Sequence, residues 1–225
     1  MLNTQALFVS LQLAAWTTLL VLALSIPLAG WLVLSRSRLR PFIDALITLP
    51  LVLPPTVMGF YLLLALSPTS WLGGLAARAL GHPLPFSFTG LLLASVVINI
   101  PFAVRPIAAA FAAVPLNLIE SAQLLGDSRA RTLRKIMLPL SYPGVLAGAM
   151  LVAVHTVGEF GVALMMGGSI PGETKTLSMS LYNDVQAMEY QRAHASAAAL
   201  MGISLFGLAV VSWTASRRNP RLRRS

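Results

Sequence analysis

Charged positions cut the chain into five long apolar stretches. Residues 1–35 and 45–77 contain no Asp, Glu, Lys or Arg. Residues 79–104 and 136–158 also lack Asp, Glu, Lys and Arg and hold one histidine each, His82 and His155, with the apolar pattern resuming beyond Glu159. Residues 195–216 are again uncharged. A membrane-crossing helix needs roughly 20 mostly apolar residues. Trimming polar and turn residues from the ends predicts helices over 10–34, 45–66, 87–108, 139–166 and 195–214. The first is expected to be a true span, because a cleavable signal would carry a basic leader and a shorter apolar run.

Composition fixes the solvent. Hydrophobic residues make up 56% of the 225, charged residues 10%, and mean hydropathy is +0.78; soluble domains carry about a quarter charged residues. A chain this apolar cannot cover itself with polar surface, so lipid must surround most of it, and a soluble enzyme or DNA-binding module is excluded. With zero cysteines there is no disulfide, thiolate chemistry or cysteine-ligated metal. His155 and His194 stand apart from any ligand cluster and are expected not to bind metal.

The net charge of +9 then has to be read by position. Thirteen basic residues fall on one set of alternating loops: Arg36, Arg38 and Arg40; Arg105, Arg129, Arg131, Arg134 and Lys135; Arg217, Arg218, Arg221, Arg223 and Arg224. The other set receives three, Arg78, Lys175 and Arg192. This asymmetry predicts an all-α, five-span integral membrane protein with its N-terminus outside and its C-terminus cytoplasmic, one membrane domain over residues 1–225. The arginine tail is expected to touch anionic lipid; RNA binding is the weaker alternative, and no nucleic-acid partner is expected.

One stretch is not membrane. Residues 115–135 are amphipathic, with four basic residues between Arg129 and Lys135. Pro115 stops the preceding helix, and Asn117 with Glu120 has capping-box spacing. Leu118, Ala122 and Leu125 share a helical face. Gly126 suits a left-handed helix end, and Asp127 or Ser128 can cap a second short helix running into Pro139. Periodicity alone leaves open whether this helix–glycine–helix loop rests on the membrane or docks a soluble partner against its small residues.

The residues themselves favour docking. Glu120-Ser121-Ala122, three residues, Gly126, nine residues and then Ile136-Met137-Leu138-Pro139 resemble the EAA loop of ABC-importer permease subunits, E-A-A-x3-G-x9-I-x-L-P. Ser121 for the first alanine is the one departure. The resemblance implies a type I ABC-importer transmembrane fold with a cytoplasmic coupling helix (about 115–138) that inserts into an ATP-binding subunit. Its coupling residues would be Asn117, Glu120, Ser121, Ala122, Gly126, Asp127, Ile136, Leu138 and Pro139. The chain needs such a subunit. Its two lysines, Lys135 and Lys175, each lack a preceding glycine, so there is no G-x4-G-K-[ST] phosphate loop. ATP and Mg are expected on the partners, with no cofactor on this chain and no catalysis by it.

Further motifs narrow the family. Leu49-Pro50-Leu51-Val52-Leu53-Pro54-Pro55 with Gly59, Gly158-Glu159-Phe160-Gly161, and Ile170-Pro171-Gly172-Glu173-Thr174-Lys175-Thr176 are similar to segments of the molybdate permeases. Sulfate and thiosulfate permeases resemble it up to the glycine-acidic-aromatic-glycine element but are expected to diverge in the loop after it. The resemblance implies a multi-pass inner-membrane permease for molybdate, with tungstate as a related cargo, working by alternating access. It implies a homodimer, two ATPase subunits and an extracytoplasmic oxyanion-binding protein. An ion-driven secondary transporter is the rival class; it usually shows internal repeats and paired midplane charges, and neither is evident.

Candidate path residues follow from position. Pro54 and Pro55 lie roughly 15 Å into the second span counted from Asp44. Each removes a backbone donor and bends the helix, so Pro50, Pro54, Pro55 and Gly59 are expected to shape the translocation path; a packing kink away from it is the alternative. Glu159 lies about 30 Å along the fourth span, near the outer boundary of the hydrocarbon. It would repel an oxyanion by roughly 4 kcal/mol per charge pair at 4 Å in an effective dielectric near 20. Glu159 is therefore expected to hold the outer gate's shape, with Gly158, Phe160 and Gly161, by bonding backbone at the glycine break or pairing with a basic group. Arg105 is expected to snorkel to the inner interface, with contact to the departing anion as the weaker alternative. Gly144 and Gly148 permit close helix approach, within the chain or between copies. In the outer loop 167–194, Pro171, Gly172, Glu173, Thr174 and Lys175 are expected to contact the binding protein or to form a solvated connector.

Overall fold

The computed structural model describes residues 2–218, with side chains through Trp213; the side chains of Arg217 and Arg218 and all of residues 219–225, including Arg221, Arg223 and Arg224, lie outside the description. Every regular element among the described residues is helical. Three helices are long and apolar enough to cross a bilayer: α1 (Thr4–Leu34), α5 (Phe88–Ala112) and the Tyr190–Trp213 portion of α12 (Tyr190–Arg218). The predicted second and fourth spans are not continuous rods. α2 (Arg40–Val52) and α3 (Pro55–Leu66) meet at a bend of 114°, and the Arg129–Leu140 segment meets α9 (Tyr142–Gly158) at 80°. Counting each bent pair as one crossing gives five.

The core is the α1–α5–α9 packing. Leu13 and Val21 of α1, Leu91, Val104, Ile107 and Phe111 of α5, and Val152 of α9 are buried. Lipid tails are as apolar as these side chains, so close backbone approach rather than water exclusion must hold the helices together. Gly144 and Gly148 supply it within the chain. A Cβ on Gly144 would collide with the Ala110 Cβ, and one on Gly148 would lie 3.2 Å from the Ala103 Cα. Phe8, Trp16 and Leu19 of α1 and Leu205, Phe206 and Trp213 of α12 face outward.

Shorter elements lie between the spans. α4 (Trp71–Leu80) is capped by Ser70, and α11 (Leu177–Gln186) by Thr176. Neither is an apolar stretch of spanning length, and the span pattern leaves both unassigned. α6 (Leu116–Leu124) and α7 (Arg129–Thr132) form the loop between α5 and α9; a five-residue π-helical turn (Leu133–Met137) and α8 (Leu138–Leu140) follow.

Candidate functional site

The two broken helices meet. α2 ends at Val52; Pro54 and Pro55 open α3, and the Pro54 carbonyl accepts from the Val57 and Met58 amides. The predicted 139–166 helix is likewise broken. α9 stops at Gly158, and after Glu159 and Phe160 the chain restarts as α10 (Gly161–Gly167). A Cβ on Gly59 would stand 2.9 Å from the Met165 Cβ and 3.1 Å from the Val162 Cα. Gly59 therefore lets α3 lie directly on α10, a packing role beside the expected shaping of a path. Pro50, Pro55, Phe102, His155 and Glu159 line a cavity of about 160 Å³ between the breaks.

Glu159 organises this region. Its side chain is 8% exposed. Oε1 accepts from the Val162 amide at 2.9 Å, satisfying a free donor in the first turn of α10. Oε2 lies 3.7 Å from His155 Nε2, and the Glu159 carbonyl accepts from the Ser178 hydroxyl at 2.6 Å. Of the two roles weighed for Glu159, the bond to backbone at the break is present, and the imidazole lies beside the carboxylate beyond hydrogen-bond distance.

Sequence reasoning missed what holds His155. Its Nδ1 lies 3.0 Å from Asn99 Oδ1, while Asn99 Nδ2 donates to the Ser95 carbonyl at 2.8 Å. With the amide in that orientation Oδ1 can only accept, so His155 Nδ1 carries the hydrogen and Nε2 is left facing Glu159. Phe102 stacks on the imidazole with centroids 4.0 Å apart. A chain of polar contacts thus runs from Ser95 on α5 through Asn99, His155 and Glu159 to α10. The available signal was a lone amide in a predicted span, costly in lipid unless used; the structure buries it completely.

The outer loop is partly structural. Thr174 is fully buried; its hydroxyl accepts from the Ile170 amide at 3.0 Å and donates to the Gly167 carbonyl at 2.5 Å. The expectation that Thr174 faces a docked protein is corrected accordingly: it closes the turn. Pro171, Gly172 and Glu173 are exposed and Lys175 half-buried. Gly172 adopts φ +78°, which the turn requires and other residues resist.

The loop at the opposite end departs from its predicted capping. α6 starts at Leu116 with Pro115 as its N-terminal boundary, and no side chain caps it. Asn117 lies inside the first turn, so the Asn117–Glu120 capping box is absent. Proline's fixed φ lets the helix begin earlier than that pairing assumes. The C-terminal end is as expected. Gly126 has φ +88°, its amide donates to the Gln123 carbonyl and the Asp127 amide to that of Ala122, the paired bonds of a Schellman ending. Ser128 caps α7, and Asp127 pairs with Arg131 at 3.0 Å.

The face available to a partner differs from the expected one. Ala122 is buried, as is Ile119, which packs into the chain's own core, so neither is an open docking surface. Leu124 and Leu125 are each 88% exposed, and Glu120 and Ser121 are also open. Ile136 and Leu138 pack against the α1–α5 core, while Pro139 is exposed. The Leu133 side chain sits 2.9 Å from where a Cβ on Gly30 would be, tying the loop to α1.

Arg105 does not simply snorkel. Its guanidinium pairs with Asp44 Oδ1 at 2.9 Å and contacts the Thr48 hydroxyl, fastening α5 to α2. A carboxylate within reach competes with the headgroup region for the cation.

Comparison with known proteins agrees with this architecture. Residues 21–224 match the family model described as the binding-protein-dependent transport system inner membrane component. The chain is 44% identical over 189 residues, 84% of each protein, to the molybdenum transport system permease protein ModB of Azotobacter vinelandii. It is 34% identical to that of Haemophilus influenzae, covering 98% of this chain and 97% of the relative. The fold is similar to a chain of a bacterial ABC transporter that imports the acidic polysaccharide alginate, with TM-score 0.69, 19% identity, and 96% and 79% of the two chains covered. It is also similar to a chain of the MetNI methionine ABC transporter in an inward-facing conformation, with TM-score 0.68, 16% identity, and 94% and 95% covered. The fold and the matches together define a multi-pass permease of the ABC-importer type. The chain belongs to the binding-protein-dependent transport inner membrane components, among the molybdenum-transport permeases. ATP hydrolysis in such systems lies on separate subunits.

Proposed function

We propose that this chain carries molybdate, and the chemically similar tungstate, across the inner membrane as one half of a homodimeric permease. Two ATP-binding subunits, holding ATP and Mg, drive it from the cytoplasm, and an extracytoplasmic protein delivers the oxyanion. The chain crosses five times in this reading, each bent pair counting once, with the N-terminus outside; the thirteen-to-three distribution of basic residues supports that orientation. The observation that carries the reading is the α6–α7 loop. A short helix closed by Gly126 and anchored through Ile119 presents two exposed leucines at its tip, in a chain with no nucleotide-binding loop of its own.

The mechanism is alternating access. ATP-driven closure of the partner subunits moves α6. Leu133 against Gly30 and Ile119 in the core pass that motion to α1 and α5. At the other end, the paired breaks around Pro55 and Glu159 form the outer gate, which opens and closes without melting continuous helix. Glu159 is spent on the Val162 amide and His155, so it shapes the gate rather than binding the anion. Pro171, Gly172 and Glu173, with the half-buried Lys175 beside them, form the rim available to the binding protein.

The test is reconstitution. Vesicles holding the permease with its ATPase subunits, supplied with ATP inside and loaded binding protein outside, should accumulate molybdate. Sulfate uptake in place of molybdate would move the cargo assignment, and uptake without ATPase subunits would overturn the mechanism.

A further inference from the structure

Arg105 lies about seven residues, or ~10 Å, inside the loop-proximal end of α5. Beside it, α1, α2 and α5 enclose a cavity of about 640 Å³ whose charged lining is Arg40, Asp44 and Arg105. Ala108, Ala109 and Ala112 keep the α5 wall low. The Arg105 and Asp44 side chains are 42% and 40% exposed, so both reach the open space. Arg105 directs one terminal nitrogen at Asp44 Oδ1 and the other at the Thr48 hydroxyl. Thr48 in turn donates to the Asp44 carbonyl at 2.6 Å. Among the described residues no hydrogen bond or ion pair engages the Arg40 guanidinium.

This arrangement has the form of an occupied anion site. A guanidinium fork donates to two oxygens of one planar or tetrahedral anion; here one carboxylate oxygen and one hydroxyl oxygen take those places. Two guanidiniums against one carboxylate leave the cavity net positive. We propose that this cavity is a low-affinity site for the tetrahedral oxyanion on the membrane subunit itself. Arg105 is its anchor, Arg40 a second cation, and Asp44 the carboxylate that holds Arg105 when no anion is present and must be displaced when one arrives. The proposal rests on the transport reading above. Competition from Asp44 keeps binding weak, and a conducting path needs sites weak enough to release their ion.

A phospholipid phosphate offers the same oxygens, so the experiment separates the two sources. The complete complex with its ATPase subunits, nucleotide-free and without binding protein, is dialysed to equilibrium against radiolabelled molybdate. The proposal predicts saturable weak binding that Arg105→Gln weakens about tenfold or more, that Arg105→Lys weakens less, and that Asp44→Asn strengthens. The opposite signs at Arg105 and Asp44 are the diagnostic result. A pair that merely fastened α2 to α5 would lose binding in both variants, and that result would overturn the proposal. So would equal binding in all of them. Native mass spectrometry finding an anionic phospholipid bound in the wild type and lost in Arg105→Gln, with no molybdate bound, would assign the cavity to lipid instead. If Arg105→Gln does not assemble, Arg105→Lys and Asp44→Asn still decide. Failure of the transport reading shows separately, as a wild-type complex that moves no molybdate with ATP and binding protein present.

Discussion

Gly161 lies directly against Pro55: a Cβ on the glycine would fall 2.9 Å from the proline Cβ. The residue that opens α10 and the residue that opens α3 are thus in contact, and the two helix breaks form one structural unit. Neither break can shift alone.

That contact leaves little room for a side chain. Overpacking of a well-filled site costs about 1–3 kcal/mol. Gly161→Val should lower the thermal midpoint of the solubilised complex and slow transport, while ATPase subunits still co-purify. An unchanged midpoint together with full transport would mean the breaks are not coupled through this contact.

Glu159→Gln keeps an oxygen for the Val162 amide but removes the charge facing His155. Transport should fall while expression and ATPase-subunit binding stay normal. Full transport in this variant would remove Glu159 from the gate.

Asn99 and His155 should behave as a pair. Asn99→Leu leaves the hydrogen on the half-buried His155 Nδ1 without an acceptor, a loss below the about 1–3 kcal/mol of a fully buried polar group. Adding His155→Phe removes the orphaned donor and should restore much of the thermal stability, since replacing both partners by apolar groups can be nearly neutral. Transport should stay low in the double variant. Additive losses of stability in a double-mutant cycle would show that the hydrogen bond contributes nothing.

Apolar run lengths made most of the membrane architecture legible, because the cost of charge in lipid is paid locally along the chain. Pro54-Pro55 and Gly158–Gly161 marked both breaks, yet no local feature encodes a 114° bend, which depends on what α3 packs against. Asn99 lies 56 residues from His155, and Asp44 lies 61 from Arg105. One chain of letters shows each as an isolated polar residue without its partner. α4 and α11 escaped notice because they are short, although Ser70 and Thr176 were visible caps. In the loop, Gly126 was readable from its role at a helix end. Ala122 was misassigned because a small residue serves buried packing and partner docking equally well.

In the proposed transporter the α6–α7 loop is cytoplasmic and gripped by an ATPase subunit. The chain has no cysteine, so Leu124→Cys introduces a single thiol at an α6 position that is 88% exposed. A membrane-impermeant maleimide should leave it unlabelled in right-side-out vesicles and label it in inverted ones. Assembly with the ATPase subunit should then shield it. Labelling from the outside, or labelling unaffected by that subunit, would contradict the account.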